Sequence, residues 1–295
     1  MKILVTGATG FIGSRLVPRL AGEHDVVALA RPGSATPRGD DVTWVEQDLT
    51  QPLRREALPA EVDAVIHLAQ SRLYKQFPEG AADVFEINVH STFRLLEYAR
   101  EVGASRFVFA STGGVYGSSD TAVSETDRLN PLNFYLSSKY GAESLVTSYD
   151  AFVTTVIFRF FFVYGPGQTQ MMVPTLLGRV LRGQEIVVEG DPGLRMNPIY
   201  VDDATRVFQP ALELEESDLF NVAGPEAVTL TELVRLMAKV SGGDAHVEHA
   251  PAAQPGDLVG DNSKMRTVLG IEPETSLRQG ITAMVEAMAT AEGAG

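Results

Sequence analysis

Short apolar runs alternate with amphipathic stretches over the first two-thirds of the chain. Ile3-Leu4-Val5, Val26-Val27-Ala28-Leu29, Val42-Thr43-Trp44-Val45 and the runs 64–68, 107–110 and 153–158 have the near-continuous apolarity of strands buried on both faces. Between them, apolar positions recur at helical spacing over 11–21, over 85–102 (closed by Gly103) and from Tyr135 to about Tyr149. This alternation predicts an α/β fold, a doubly wound parallel sheet with helices on both faces.

The pattern loosens after Tyr164. Gly165-Pro166-Gly167 breaks the chain, 171–181 reads as a helix, and 199–201 and 219–222 read as short strands. Thr229 and Glu232 form a capping box that opens a helix over 230–240, ended by Gly242-Gly243. Further helices are predicted near 263–269 and 277–289, and the acidic cluster 213–218 reads as a solvated loop. Residues 1–164 therefore form one predicted domain, to which 197–222 return. Residues 165–196 and 223–295 form a smaller C-terminal lobe.

Composition narrows the function classes. The 295 residues are 44% hydrophobic and 21% charged, with no fixed repeat, as in a globular protein large enough to bury a full core. There is no cysteine, so disulfides, thiolate metal sites and a Cys nucleophile are excluded. The net charge of −14 repels phosphate backbones and anionic lipid, so neither nucleic acid nor a membrane is an expected partner. The apolar run at the start, Met1 to Gly7, is too short for a signal peptide, and the reading is cytoplasmic. His246 and His249 stand at a spacing that a strand turns to opposite faces, so no metal site is expected there.

Two motifs carry candidate chemistry. Thr6-Gly7-Ala8-Thr9-Gly10-Phe11-Ile12-Gly13 follows the first strand and opens the first helix. Its glycines let the backbone turn tightly and approach a pyrophosphate, which meets free N–H groups at the helix start. The first domain is therefore read as dinucleotide-binding, with Gly7, Thr9, Gly10, Phe11, Ile12 and Gly13 at the cofactor. The second strand runs into Ala30-Arg31-Pro32-Gly33-Ser34 and offers no carboxylate for a ribose 2′-hydroxyl. Arg31, with Ser34 beside it, instead suits a 2′-phosphate, so the expected cofactor is NADP, with NAD the alternative. Asp48-Leu49 is placed to receive the adenine amino group, or Asp48 to cap the segment that follows.

The second motif is Tyr135-Leu136-Ser137-Ser138-Lys139, a phenol and an ammonium sharing one helix face. An ammonium about 4 Å away could lower the phenol's pKa by up to about three units before desolvation opposes it. Such a Tyr exchanges a proton with a carbinol or carbonyl while hydride moves to or from a nicotinamide.

With these pieces stand Val65-Ile66-His67-Leu68-Ala69, Asn88-Val89, 110–117 (Ala-Ser-Thr-Gly-Gly-Val-Tyr-Gly), Glu143, Arg159, 163–168 (Val-Tyr-Gly-Pro-Gly-Gln), Tyr200-Val201-Asp202-Asp203 and Phe220-Asn221-Val222. In this order, over nearly the whole chain, they resemble an extended short-chain dehydrogenase/reductase of the nucleotide-sugar epimerase/dehydratase family. The resemblance implies Tyr135 as acid/base, and Lys139 holding the nicotinamide ribose and tuning Tyr135. It implies Thr112 bonding the reacting oxygen, with Ser111 in reserve. It also implies Leu68 and Ala69 beside the cofactor, Asn88 holding backbone on its own helix, Gln168 and Arg195 at the substrate, the C-terminal lobe as substrate domain, and a homodimer.

The chain also departs from that family. Gly113 and Gly114 replace the Asp-Glu pair of sugar-nucleotide 4,6-dehydratases, and glycine moves no protons. Phe162 stands where many members carry an Asn for the substrate diphosphate, and 195–198 (Arg-Met-Asn-Pro) alter the usual Arg-Asp. The implied substrate is a nucleotide-linked sugar, with hydride exchange at C4. Arg31 tilts the reading to an NADPH-consuming 4-keto reductase. The alternative is an NAD-retaining nucleotide-sugar 4-epimerase. A reductase of a non-nucleotide ketone, kept open by Phe162, and a non-catalytic NADP(H)-sensing regulator stand behind both.

Overall fold

The computed structural model describes residues 1–36, 41–251 and 256–293. Residues 252–255 and 294–295 of the predicted lobe lie outside the described residues. The chain divides into two compact units. The first comprises 1–115, 129–159 and 205–220, and the second 116–128, 160–204 and 221–295.

The apolar runs become strands β1 (Lys2–Thr6), β2 (Asp25–Ala30), β3 (Val42–Glu46), β4 (Ala64–His67), β5 (Arg106–Thr112) and β6 (Thr154–Phe160). Three short strands follow, β7 (Ile186–Glu189), β8 (Arg195–Met196) and β9 (Asp218–Val222). Seven strands form one parallel sheet in the order β3-β2-β1-β4-β5-β6-β9. The strand order reverses between β1 and β4, where crossovers leave a crevice beyond the carboxyl ends of the strands. The register pairs Thr6 with His67 at that edge.

Helices α1 (Gly13–Ala21), α2 (Ala81–Phe85), α3 (Ser91–Glu101), α4 (Phe134–Thr147) and α5 (Met172–Leu181) follow the expected pattern with one difference. The helix expected over 85–102 contains a π turn at Glu86–His90 between α2 and α3. Such wide turns cluster at functional sites. Asn88, on this turn, is fully buried. Its Oδ1 accepts from the Ser71 N–H at 3.0 Å and its Nδ2 donates to Ser138 Oγ at 2.9 Å. Asn88 therefore holds the loop after β4 and a side chain of α4, not the backbone of its own helix.

Leu4, Val27, Val65, Leu95, Phe107, Val146 and their neighbours form the core of the first unit. In the second unit Tyr164, Leu177, Met196, Leu233, Met237 and Ile281 form another. There the capping box of Thr229 and Glu232 opens the helix Leu230–Ser241, and Gly242 ends it at φ 71°. Residues 199–201 form a single bridge from Tyr200 to Tyr164, and a helix starts at Val201, so the short strand expected there is one residue wide. β10 (Val228–Thr229) pairs with β8, and the strand expected at 246–249 is β11 (Val247–Ala250), which runs parallel to β7. The sequence assigns 116–128 to the first domain, whereas the fold fastens them to the second unit. Tyr116 Oη donates to Asn221 Oδ1 at 2.8 Å, and Asn221 Nδ2 donates to Val123 O at 2.9 Å.

Phe162 has φ 44°, a left-handed conformation that is costly for a bulky side chain and that Asn tolerates well. Its ring packs against the core of the second unit, and that burial offsets the strain.

Candidate active site

The turn after β1 leaves no room for a side chain at Gly7 or Gly13. Gly7 has φ 67°, and a Cβ on it would lie 2.7 Å from Ala69 N and 2.8 Å from the Leu68 carbonyl carbon. A Cβ on Gly13 would lie 2.3 Å from Gly7 O. Gly10, exposed, donates its N–H to Gly7 O at 2.9 Å. The first turn of α1 carries no side-chain cap, which leaves its start open to an anion. Leu68 and Ala69 pack against the glycine turn, and the Ala69 N–H donates to Thr6 Oγ1 at 3.3 Å.

From this turn a cleft of about 790 Å³ runs past Thr9, Arg31, Ser34, Asp48, Arg72 and Asp83. The Arg31 guanidinium is exposed and makes no ion pair or hydrogen bond among the described residues. Asp48 Oδ1 accepts from both the N–H (2.9 Å) and the hydroxyl (2.8 Å) of Thr50, so of its two expected roles the local turn holds that oxygen. Leu49 is buried. The cradle of glycines, the uncapped helix start and the adjoining polar cleft fit a dinucleotide.

Helix α4 presents Tyr135, Lys139 and Glu143 on one stripe, each one turn from the next. Asn133 starts it, its Oδ1 accepting the Leu136 N–H at 2.9 Å. Lys139, 2% exposed, donates to Ala110 O at 2.5 Å and lies 4.2 Å above the Phe109 ring. Burial pulls its pKa down to about 7, against the charge of Glu143. Tyr135 donates its hydroxyl proton to Gln70 Oε1 at 2.9 Å, and its ring lies 5.2 Å from that of Tyr74. Burial, with Tyr74 adding to it, raises the Tyr135 pKa above the ordinary phenol value. The expected tuning of Tyr135 by Lys139 is therefore not seen: the ammonium is turned to the end of β5, and desolvation governs the phenol.

Ser111 and Thr112 part company. Ser111, buried, donates its hydroxyl to Glu143, whose carboxylate also takes Arg159 in a buried ion pair (Nη2 to Oε2, 2.7 Å). Thr112 is half-buried, and among the described residues its Oγ1 accepts only the Gly114 N–H, at 3.2 Å, leaving its proton for another acceptor. His67, wholly buried, bonds Thr6 Oγ1 at 2.7 Å and Thr92 Oγ1 at 3.0 Å. Burial and the Lys139 charge pull its pKa down to about 3, so it is a neutral packing residue.

Sequence reasoning missed Gln70 and Arg72, and, although it singled out Ser111, Glu143 and Arg159, it did not see that the three bond to one another. Arg159 sits inside the apolar run of β6, and a buried guanidinium demands a carboxylate, which was a usable signal. Gln70 had the weaker signal of following Leu68-Ala69 directly.

In the second unit, Gln168 Nε2 donates to Val163 O at 3.0 Å, while its Oε1 is buried with no hydrogen-bond partner among the described residues. Arg195 is exposed on β8, its backbone N–H donating to Asp257 Oδ1 at 3.0 Å. His249 Nδ1 lies 2.8 Å from Gly190 O, and no group of three or more metal-ligating side chains occurs among the described residues. No helix among them is long and apolar enough to cross a membrane.

Known proteins share this framework. An uncharacterized UDP-glucose epimerase of Bacillus subtilis, YtcB, is 32% identical over 96% of this chain and 96% of its own. UDP-glucuronic acid decarboxylase 2 of Arabidopsis thaliana is 28% identical over 97% of this chain and 68% of its own. The crystal structure of UDP-glucuronic acid 4-epimerase from Bacillus cereus, in complex with UDP-glucuronic acid and NAD, superposes with a TM-score of 0.89 at 28% identity, covering 99% of this chain and 100% of that one. The model of the NAD dependent epimerase/dehydratase family matches residues 3–223, and with the glycine turn, the Tyr135–Lys139 stripe and the reversed sheet order in place, the chain belongs to that family of extended short-chain dehydrogenase/reductase enzymes.

Proposed function

We propose that the protein is a nucleotide-sugar 4-epimerase that retains its nicotinamide dinucleotide, with Tyr135 as the acid/base. The observation that carries the reading is the phenol of Tyr135 bonded to Gln70, one residue from the backbone that packs on the glycine turn. We therefore read the phenol and the dinucleotide cradle as parts of one crevice of the first unit.

When bound, the nicotinamide supplies the hydride acceptor and donor. The chain's own residues handle the oxygen and its proton. Once ionised, Tyr135 takes the proton of the sugar's C4 hydroxyl and later returns it to the same oxygen. The Thr112 hydroxyl donates to that oxygen, and Ser111 is left to Glu143. Lys139 backs the stripe one turn away and is read as the ribose contact. Thr9, Gly10, Phe11, Ile12 and Gly13 cradle the pyrophosphate, with Leu68 and Ala69 along its other side. Gln168, with its unmet acceptor, and Arg195, with its exposed guanidinium, are assigned to the substrate.

The expected tilt to a 4-keto reductase gives way here. The family and its UDP-sugar epimerase neighbours support the 4-epimerase, and NAD is the dinucleotide in the Bacillus cereus structure. Arg31 still favours a 2′-phosphate, so NADP remains a competent ligand of the same cleft. A homodimer is the expected assembly.

The purified protein is incubated with UDP-glucose or UDP-glucuronic acid and no added reductant. Formation of the C4 epimer, lost on Tyr135→Phe by a factor of about 10²–10⁴ with dinucleotide binding kept, supports the proposal. Net consumption of added NADPH with a 4-keto sugar nucleotide, or release of carbon dioxide from UDP-glucuronic acid, would replace it with a reductase or a decarboxylase.

A further inference from the structure

Gln70 stands at the junction of three fixed elements. The residue before it, Ala69, donates its N–H to Thr6 Oγ1 and packs on Gly7. The residue after it, Ser71, donates its N–H to the buried Asn88 Oδ1 and its hydroxyl to Asp83. The backbone on both sides of Gln70 is thereby tied to β1 and to the π turn. Only its side chain is exposed, and that side chain accepts the Tyr135 hydroxyl at 2.9 Å. At the other end of the same tyrosine, Ser138 Oγ donates to the Tyr135 carbonyl at 2.7 Å and accepts from Asn88 Nδ2.

A carboxamide oxygen can only accept from a phenol, so the Tyr135 proton lies between the two residues. A substrate hydroxyl that gives its proton to Tyr135 needs the phenolic oxygen, and a carbonyl that receives one needs the proton. Both have to compete with Gln70.

We infer that Gln70 is a positioning residue for Tyr135: it holds the phenol by its proton, aims it into the crevice beside the glycine turn, and yields when a sugar oxygen takes its place. The inference deepens the proposed acid/base role of Tyr135 and rests on it.

The groups facing Tyr135 are few. Tyr74 and Lys75 come from the loop after β4, with the Lys75 ammonium 5.5 Å above the Tyr74 ring. Lys139 lies one turn along α4, and Asp83 of α2 is occupied by Ser71. A hydrogen bond to the neutral phenol opposes ionisation, as the burial of Tyr135 also does.

Gln70→Ala and Gln70→Glu separate this role from mere packing. The side chain is exposed, so both variants keep the fold. Tyrosinate absorbance is followed against pH for each protein and for the same protein carrying Tyr135→Phe; the difference reports Tyr135 alone and needs no substrate. Loss of the acceptor in Gln70→Ala is expected to make Tyr135 about tenfold more acidic, the size of one net hydrogen bond. A carboxylate in Gln70→Glu is expected to move the ionisation the opposite way. In the holoenzyme, the limb of kcat/KM that rises as Tyr135 ionises follows in both directions. An unchanged Tyr135 titration in both variants overturns the inference. If the titration moves in both directions while no nucleotide sugar is turned over, Gln70 keeps its role and the 4-epimerase reading fails instead.

Discussion

Glu143 and Arg159 close a buried ion pair, 2.7 Å between Oε2 and Nη2, with both side chains at most 5% exposed. The pair sits one turn beyond Lys139 on α4, and Ser111 gives its hydroxyl to the same carboxylate. Each partner's charge offsets the cost of burying the other. Glu143→Gln takes the carboxylate away from the buried guanidinium and is expected to cost about 3–5 kcal/mol, read from chemical denaturation. Replacing both residues with apolar side chains of similar volume is expected to recover most of that loss. A single variant as stable as the native protein would refute the account.

Lys139 makes stability depend on pH in a definite direction. Its ammonium deprotonates near pH 7 in the folded protein and near 10.5 when unfolded. Below pH 7 both states carry the charge and the folded state bears the full cost of burying it. Between about pH 7 and 10.5 the unfolded chain binds more protons, so stability rises with pH. His67 acts in the same sense at lower pH, with about 3 in the folded state against 6.5. In the protein free of dinucleotide, Lys139→Met is expected to be more stable than native at pH 7, by at most roughly 5 kcal/mol. The difference shrinks as pH approaches 10. Denaturant midpoints at several pH values test the slope, and a gap that widens with pH would refute it.

The six principal strands and the glycine turn were legible because they depend on local pattern: apolar runs bounded by turns, and glycines where a Cβ has no room. The Tyr135–Lys139 spacing was legible for the same reason, since helical period alone puts both on one face. The direction of the Lys139 ammonium was not, because it depends on Ala110 O and the Phe109 ring, brought in by β5. The π turn at Glu86–His90 was hidden because its cause is tertiary: the Asn88 carboxamide reaches Ser71 and Ser138 from distant segments. The family resemblance ranked Thr112 before Ser111, but the engagement of Ser111 by Glu143 was hidden, because it depends on a strand's alternation sending the two neighbours to opposite faces.

Gly13 and Gly10 are expected to tolerate a methyl group very differently. A Cβ on Gly13 would come within 2.3 Å of Gly7 O, backbone held by the turn, so Gly13→Ala has to push α1 away from β1. On Gly10 the nearest atom is Gly7 O at 3.0 Å, a contact that a shift of a few tenths of an ångström relieves. Gly13→Ala is therefore expected to lower stability by about 1–3 kcal/mol and to weaken dinucleotide binding as well. Gly10→Ala is expected to keep the fold and lose affinity alone, because its added methyl stands on the exposed side where a pyrophosphate approaches. Thermal unfolding paired with dinucleotide titration separates the two, and equal stability losses would show that the turn is looser than its contacts imply.

Arg31 is the residue we propose to govern the choice between the two dinucleotides. It directly follows β2, is exposed in the cleft with Ser34, and has no carboxylate partner among the described residues. A guanidinium there gains a charge-assisted contact with a 2′-phosphate and little from a 2′-hydroxyl. Arg31→Ala is expected to weaken binding of NADP by about 1.5–3 kcal/mol, roughly tenfold or more, and to leave NAD nearly unchanged. Raising ionic strength should weaken NADP binding in the native protein and have less effect in the variant, since the contact is screened by salt. Calorimetric titration of both dinucleotides into both proteins gives the four affinities required. Equal losses for NAD and NADP would place Arg31 on a group common to both, and the preference for a 2′-phosphate would have to be abandoned.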